Sequence, residues 1–582
     1  MNQTLKVGGR WIFLSVMVGI ITGLATTLFV FLMERTHELL IVQTIGFVNG
    51  GEGSEFLPWF RPFLFLLIPT LGGLACGILV TWLSPESEGH GTDSVLHSFH
   101  REKSRVPPHV VLVKMLSSAV TIGSGGSAGP EGPMAQVGSG IGSVISNIFG
   151  LTPKERNILF IAGIAGGIGS IFRAPLGGAV FGPEILYSEP DFETDALVPC
   201  LISSITAYSV HCSLSGNWKP AFDVPAIAFR HPMELLLYVV LGLLLVLAGK
   251  LYIRWFYFFH DRVFGPLKLP AFLKPALGGF ALGLLALLVP QIIGTGYPLV
   301  QQALYGKLTI AAMLGLALLK IVATSFTIGS RGSGGVFAPT VVIGGLVGGA
   351  FGYAAEQVFP MFVSNPTSYI LVGMGGFLAG VANVPISALI MVAEMSHSYD
   401  LLVPIIFTVT VTYLLSGSES IFSQQVPSRI DSPAHLGDFS VDILSQLHVR
   451  DVIRQSPEIT LHEGTPFDEV VRVVTSSQQT TFPVVDESGR LISIFTLDDV
   501  KSVLPDRDVW EILVARDLGM DRFTSLSPDE TLDAALRKFT ATRAERLPVL
   551  DPERPGVMTG MVSRQDLLSA YHQAMNALRR NR

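Results

Sequence analysis

Two short stretches framed by glycine and proline hold the residue types best suited to chemistry. Gly129-Pro130-Glu131-Gly132-Pro133 sets a lone carboxylate at the mouth of an apolar segment, and Gly335-Val336-Phe337-Ala338-Pro339 repeats the frame without the acid. Pro133 and Pro339 suit the first turn of a helix, where a missing N–H costs nothing. A helix start directs free N–H groups and a partial positive charge forward, and glycine lets backbone approach a small ligand closely. Two such ends facing each other at membrane depth would hold a small dehydrated anion without a full positive charge. A fixed lysine would hold the anion harder and slow its release, whereas conduction needs binding weak enough to end. Close helix packing is the competing explanation for the glycines. Glu131 has two readings as well. It is either a carboxylate favourably placed at a helix N-terminus or an occupant of the anion path that leaves when protonated, since intramembrane acids are functional candidates by default.

These loops need elements to position them, and the composition says of what kind. Of 582 residues 49% are hydrophobic and only 15% charged, with mean hydropathy +0.50. A soluble globular chain carries about 25% charged residues, so a purely soluble enzyme is excluded, and the hydrophobic content excludes a disordered chain. The net charge of −7 offers no basic surface for nucleic acid. Cys76, Cys200 and Cys212 lie in apolar stretches without a C-x-x-C and read as buried small hydrophobes. Charge is unevenly spread: 41 Asp, Glu, Lys and Arg fall in the 152 residues from Asp431 onward, and 44 in the first 430. The split predicts a membrane domain, 1–430, then a linker, 431–446, then a water-soluble tail. Apolar runs recur through the first part, among them Trp11–Met33, Pro62–Leu83, Leu235–Leu251 and Tyr369–Met395. A straight span takes about 20 apolar residues, and shorter glycine-broken segments are tolerated at membrane depth where protein or a cavity surrounds them. Trp11–Met33 is too long for a signal-peptide core and reads as a first span. Lys6 and Arg10 before it predict a cytoplasmic N-terminus.

The membrane part is an internal duplication. Residues 121–143 align without a gap on 327–349 at an offset of 206, and Lys114 falls on Lys320. Residues 163–184 align on 373–394 at an offset of 210, pairing Pro175 with Pro385 and Glu184 with Glu394, and Gly89-His90-Gly91 aligns on Gly294-Thr295-Gly296. Half-repeats of about 10–215 and 230–425 follow. Repeats of this kind are a transporter signature, with the site near the midplane between the halves.

The ordered set of Gly129–Pro133, Gly335–Pro339, Gly89–Gly91 and Lys114, seventeen residues before Glu131, resembles the CLC chloride channel and transporter family over roughly residues 10–430 and the tail. The resemblance implies an α-helical polytopic membrane protein with inverted halves, and a homodimer in which each subunit has its own anion pore. It implies residence in the plasma or inner membrane, surrounded by lipid, with the tail in the cytoplasm. It also implies chloride or a similar small anion as substrate, Glu131 as gate and proton acceptor, and an anion site formed by His90, Gly132, Val336, Phe337, Ala338 and Phe422, with the amides of Val336 and Phe337 lining it. Four positions depart from the family pattern. His90 replaces a common serine, Phe422 a pore tyrosine, Pro130 a common arginine, and Ile185 an acid carried by proton-coupled members. The last favours a passive anion path over a proton-coupled chloride/H+ antiporter, although water could relay protons. Glu184, beside Ile185 and matched by Glu394, reads as structural, and Arg173 as a partner of Glu184 or another acid, or a cap for carbonyls.

The tail repeats as well. Residues 447–505 and 513–576 each read strand, polar turn, strand, helix start, with Phe482–Val485 and Leu491–Phe495 as strands. They resemble a tandem pair of α/β CBS domains. That resemblance implies an adenine nucleotide between the copies, contacted by Thr496 with Asp499 and Ser563 with Asp566, though the same residues are ordinary helix N-caps. No cofactor or metal is required. A membrane metalloprotease would need H-E-x-x-H, and His37-Glu38 is followed by Leu39-Leu40-Ile41. A divalent-cation transporter would want clustered acids, and the two main loops supply only Glu131.

Overall fold

The structure, a computed structural model, describes residues 2–225, 227, 229–435, 444–453, 459–519, 523–542 and 544–580, with side chains for those between 9 and 574. Part of the expected linker, 436–443, lies outside the described residues, as do 454–458 of the first tail copy and 520–522 and 543 of the second. The chain divides into two units, residues 1–434 and 435–582.

The first unit is built from two runs of eight α-helices. The first run is α1 (Asn2–His37), α2 (Leu64–Leu83), α3 (Thr92–Arg101), α4 (Pro108–Gly123), α5 (Glu131–Ile148), α6 (Pro153–Phe172), α7 (Pro175–Glu184) and α8 (Leu197–Ser215). The second is α9 (Glu234–Tyr257), α10 (Lys274–Leu288), α11 (Tyr297–Leu304), α12 (Ile310–Gly329), α13 (Phe337–Val358), α14 (Ser368–Ala382), α15 (Pro385–Ser396) and α16 (Leu402–Ser416). Among the described residues, nine helical stretches are long and apolar enough to cross a membrane. The others, such as α4, α14 and α15, are shorter, as the glycine- and proline-broken sequence requires.

Equivalent residues make equivalent contacts in the two runs. Lys114 and Lys320, both fully buried, each hold a loop by its carbonyls. Lys114 Nζ donates to Ser87 O (3.0 Å) and Gly89 O (2.8 Å), and Lys320 Nζ to Ile292 O (3.0 Å) and Gly294 O (2.7 Å). Two donors of each ammonium group are thus committed to backbone, which fixes the loop on its helix. The paired acids exchange caps across the repeat. Glu184, at the end of α7, accepts from the amides of Ile386 (2.9 Å) and Ser387 (2.8 Å) and from the Ser387 hydroxyl at the start of α15. Glu394, near the end of α15, accepts from Leu176 (3.1 Å) and Gly177 (2.7 Å) at the start of α7. Each carboxylate satisfies orphan N–H groups of a partner helix. Arg173 does not pair with Glu184. It ends α6 in the left-handed conformation, and its guanidinium donates to Lys219 O (3.1 Å).

Glycine sets the helix spacing. A Cβ on Gly163 of α6 would stand 2.0 Å from the Gly138 carbonyl oxygen of α5, and one on Gly373 of α14 would stand 2.4 Å from Gly344 O of α13. The helices bearing the two candidate loops are thus pressed backbone to backbone against their neighbours, as small-residue packing permits.

The second unit holds two copies of a strand–strand–helix element. In the first, β1 (Thr481–Val485) pairs antiparallel with β2 (Leu491–Thr496), which runs into a helix at Leu497–Val503; in the second, β3 (Arg546–Leu550) pairs with β4 (Met558–Ser563), followed by a helix at Arg564–Arg580. Each copy has its own core, around Phe467, Phe482 and Phe495 in one and Leu532, Phe539 and Val562 in the other.

Gly163→Ala should lower the thermal midpoint of the detergent-solubilised protein markedly, because overpacking costs about 1–3 kcal/mol and the obstruction here is backbone. Gly315→Ala, at a helical site with nothing within 4 Å of the added carbon, should leave the midpoint unchanged or raise it.

Candidate anion-binding site

The starts of α5 and α13 meet through their own backbones. Gly129 N donates to Gly335 O (2.7 Å) and Gly335 N to Gly129 O (2.6 Å). These glycines are equivalent positions of the repeat, and reciprocal bonds between equivalent positions mark a local two-fold axis. α5 begins at Glu131 and α13 at Phe337, two residues beyond each glycine, so the free N–H groups of both converge. Glycine is required at both positions: a Cβ on Gly132 would lie 2.1 Å from His90 O, and one on Gly335 2.8 Å from Gly132 N.

Glu131 reaches across this junction. Although it begins α5, its Oε2 accepts from Ala338 N at the start of α13 (3.3 Å), and its Oε1 from the Tyr297 hydroxyl (2.5 Å). The side chain is buried at 1% exposure. A carboxylate therefore lies on the helix end best suited to an anion. Among the amides of this loop, Ala338 makes the contact. Phe337 packs against Phe172 (centroids 4.6 Å apart) and Phe181 (5.7 Å), forming an apolar collar. Val336 and Ala338 are buried with it. With water excluded, the amide dipoles act at low dielectric, where they are strongest.

His90 lies beside the last residues of this unit. It is 7% exposed, and its ring is 5.5 Å from that of Phe422 and 6.5 Å from that of Phe256. Phe422 is buried and supplies an apolar wall where a tyrosine would supply a hydroxyl. His90 Nε2 is 3.3 Å from Asp93 Oδ2. Asp93 also accepts from the Ser423 hydroxyl (2.6 Å) and the Gln424 amide (3.2 Å). Gln425 fastens the same stretch by donating to Ile185 O and Ala382 O, both at 3.0 Å. Ile185 is buried, at 1% exposure.

The structure thus brings Glu131, Gly132, Val336, Phe337 and Ala338 to one junction, with His90 and Phe422 together nearby. Sequence reasoning missed Tyr297 and Asp93. A signal for each existed: Tyr297 directly follows Gly294-Thr295-Gly296, and Asp93 lies three residues after His90, in the first turn of α3.

In the tail, the expected nucleotide residues are engaged with each other. Thr496 N and Oγ1 both donate to Asp499 (2.7 Å each), and Ser563 N (2.9 Å) and Oγ (2.5 Å) donate to Asp566. These are N-caps. A cavity of about 730 Å³ lies between the copies, lined by Thr480 of the first and by Glu545, Arg546, Ser563 and Arg564 of the second. Ser563 borders it; Thr496, Asp499 and Asp566 are not among its lining residues.

Comparison with known proteins accords with this geometry. The chloride channel protein CLC-e of Arabidopsis thaliana is 28% identical over 543 residues, covering 83% of this chain and 75% of that protein. The H(+)/Cl(−) exchange transporter ClcA of Klebsiella pneumoniae is 28% identical over 411 residues, covering 70% of this chain and 85% of that one. The crystal structure of a slow cyanobacterial Cl−/H+ antiporter superposes with a TM-score of 0.63 at 23% identity, over 71% of this chain and 96% of that one. Two CBS domains match at 449–506 and 515–573. Residues 72–417 match the voltage-gated chloride channel family model, and the chain belongs to that family of anion-transport proteins.

Proposed function

We propose that the protein carries chloride or a similar small anion passively across a cell membrane, through a path gated by Glu131. The observation that carries this reading is the Glu131 carboxylate seated on the Ala338 amide. It occupies the position an anion would take, so anion and carboxylate compete for one helix end. Ionised, Glu131 closes the path; protonated, it loses its attraction to the helix dipole and yields the site. Tyr297 acts as a latch, since its hydroxyl donates to the carboxylate and favours the ionised, seated form. Phe422 and Phe337 make the walls apolar, which suits a weakly held, partly dehydrated ion.

Proton-coupled anion exchange is the second reading. The Klebsiella relative's designation as an exchange transporter favours it, and Ile185 in place of an acid weighs against it. Within the passive reading the protein works as a homodimer with a pore in each subunit, its tail in the cytoplasm. An adenine nucleotide entering the cavity beside Ser563 regulates the path, which requires different affinities for the open and closed states.

Four measurements follow. Glu131→Gln in liposomes should change the pH profile of chloride flux by removing the component that Glu131 supplies; an unchanged pH profile would remove the gate. Tyr297→Phe should keep the gate but shift the flux midpoint by about 1–2 units toward higher pH, because a charge-assisted hydrogen bond is worth about 1.5–3 kcal/mol and one unit corresponds to about 1.4 kcal/mol. An imposed chloride gradient should move few protons; uphill proton movement at fixed stoichiometry would establish exchange. For the tail, calorimetry with ATP and AMP should show binding that Ser563→Ala weakens about tenfold, as loss of one hydrogen bond implies.

A further inference from the structure

The pairing of His90 with Asp93 has a consequence beyond its place near the anion path. The Asp93 carboxylate has donors from three sides: the Ser423 hydroxyl, the Gln424 amide and His90 Nε2. An ionised carboxylate only accepts, so it holds the Nε2–H tautomer of neutral His90, as second-shell carboxylates commonly do. The other ring nitrogen, Nδ1, is buried and has no hydrogen-bond partner among the described residues. In the neutral ring Nδ1 then carries a bare lone pair, which repels an anion. Protonation turns Nδ1 into a second donor and gives the ring a positive charge.

We propose that His90 is a proton-conditional anion ligand: an anion binds at this end of the path together with one proton on the His90–Asp93 pair. The inference rests on the anion-transport reading above and specifies the regulation of that site. It differs from the Glu131 gate in place and in sense, since Glu131 competes with the anion while protonated His90 recruits it.

Protons have a route to the pair. Asp93 borders a cavity of about 350 Å³, lined also by Glu86, His97, Glu102, Arg105 and Gln424, so the carboxylate meets water while the imidazole stays buried. The charged groups around His90 are otherwise committed. From α4, Lys114 Nζ is bonded to the Gly89 carbonyl. Arg331, ahead of α13, pairs with Glu88 at 3.4 Å. At the end of α9 the Tyr257 hydroxyl donates to Ile421 O. His260 beyond it stacks on Phe256 and pairs with Asp261 at 2.7 Å. Glu131 is engaged by Tyr297 and Ala338. None of these supplies a donor or acceptor to His90 Nδ1.

The test is calorimetric titration of sodium chloride into the full-length protein carrying Glu131→Gln, which silences the gate carboxylate. It is run from pH 5.5 to pH 8.5 in two buffers of different ionisation enthalpy. The expected result is uptake of up to one proton per chloride, with chloride affinity falling by up to about tenfold per pH unit on the alkaline side. His90→Ser, which keeps a neutral donor, should abolish the proton uptake and make chloride binding independent of pH. Asp93→Asn can donate its amide to Nε2 and release the Nδ1–H tautomer, so it should restore binding at high pH. Equal proton uptake in His90→Ser, or an unaltered pH profile in Asp93→Asn, overturns this inference and leaves the anion path standing. Absence of chloride binding by the wild-type chain at every pH overturns the anion-transport reading, and this inference with it.

Discussion

The membrane unit depends on the reciprocal hydrogen bonds between Gly129 and Gly335. They are the contact at which a duplicated sequence meets its own copy, and they bring two helix starts together inside apolar protein. Buried N–H groups without acceptors are costly, so helix ends placed there need occupants. Glu131 answers that need at the start of α13. A helix end of that kind suits its own carboxylate or a visiting anion alike, which is the basis of the gate proposed for Glu131. Its strength comes from dipoles rather than from fixed charge, which keeps binding reversible.

The rest of the unit holds that junction still. Lys114 and Lys320, paired by the repeat in the sequence, each donate to two loop carbonyls. Glu184 and Glu394, read from the sequence as structural, each cap the helix that carries the other. Such pairs fix geometry because an uncapped buried helix end would forfeit several hydrogen bonds at once. Fixed geometry leaves few polar groups free to respond. The proposed proton responses rest on two pairs, Glu131 with Tyr297 and His90 with Asp93.

Much of this was legible in the chain itself. Offsets of 206 and 210 tied Gly129 to Gly335 and Glu184 to Glu394, and the structure joins each pair. The apolar runs showed as helices because burial in lipid or protein leaves no other economical way to satisfy backbone groups. What escaped were partners separated by long stretches of chain. Tyr297 lies 166 residues from Glu131 and Ser423 lies 330 from Asp93, and no local periodicity connects such positions. The tail showed the same divide. Its strand and helix starts follow alternation and capping residues, whereas the cavity between copies drew in Glu545 and Arg546, which carry no motif.

Sequence alone determined that the protein is a duplicated membrane unit followed by a duplicated soluble one. Hydrophobicity, glycine placement and internal repetition are local properties written residue by residue. It also singled out Glu131, since an acid in so apolar a setting stands out. Only the tertiary structure decided which helix end that acid serves, that a phenol holds it there, and that His90 is tied to Asp93 with one nitrogen left over. Those outcomes depend on distances of a few ångströms between segments far apart in the chain, and only the packing of the whole unit sets such distances.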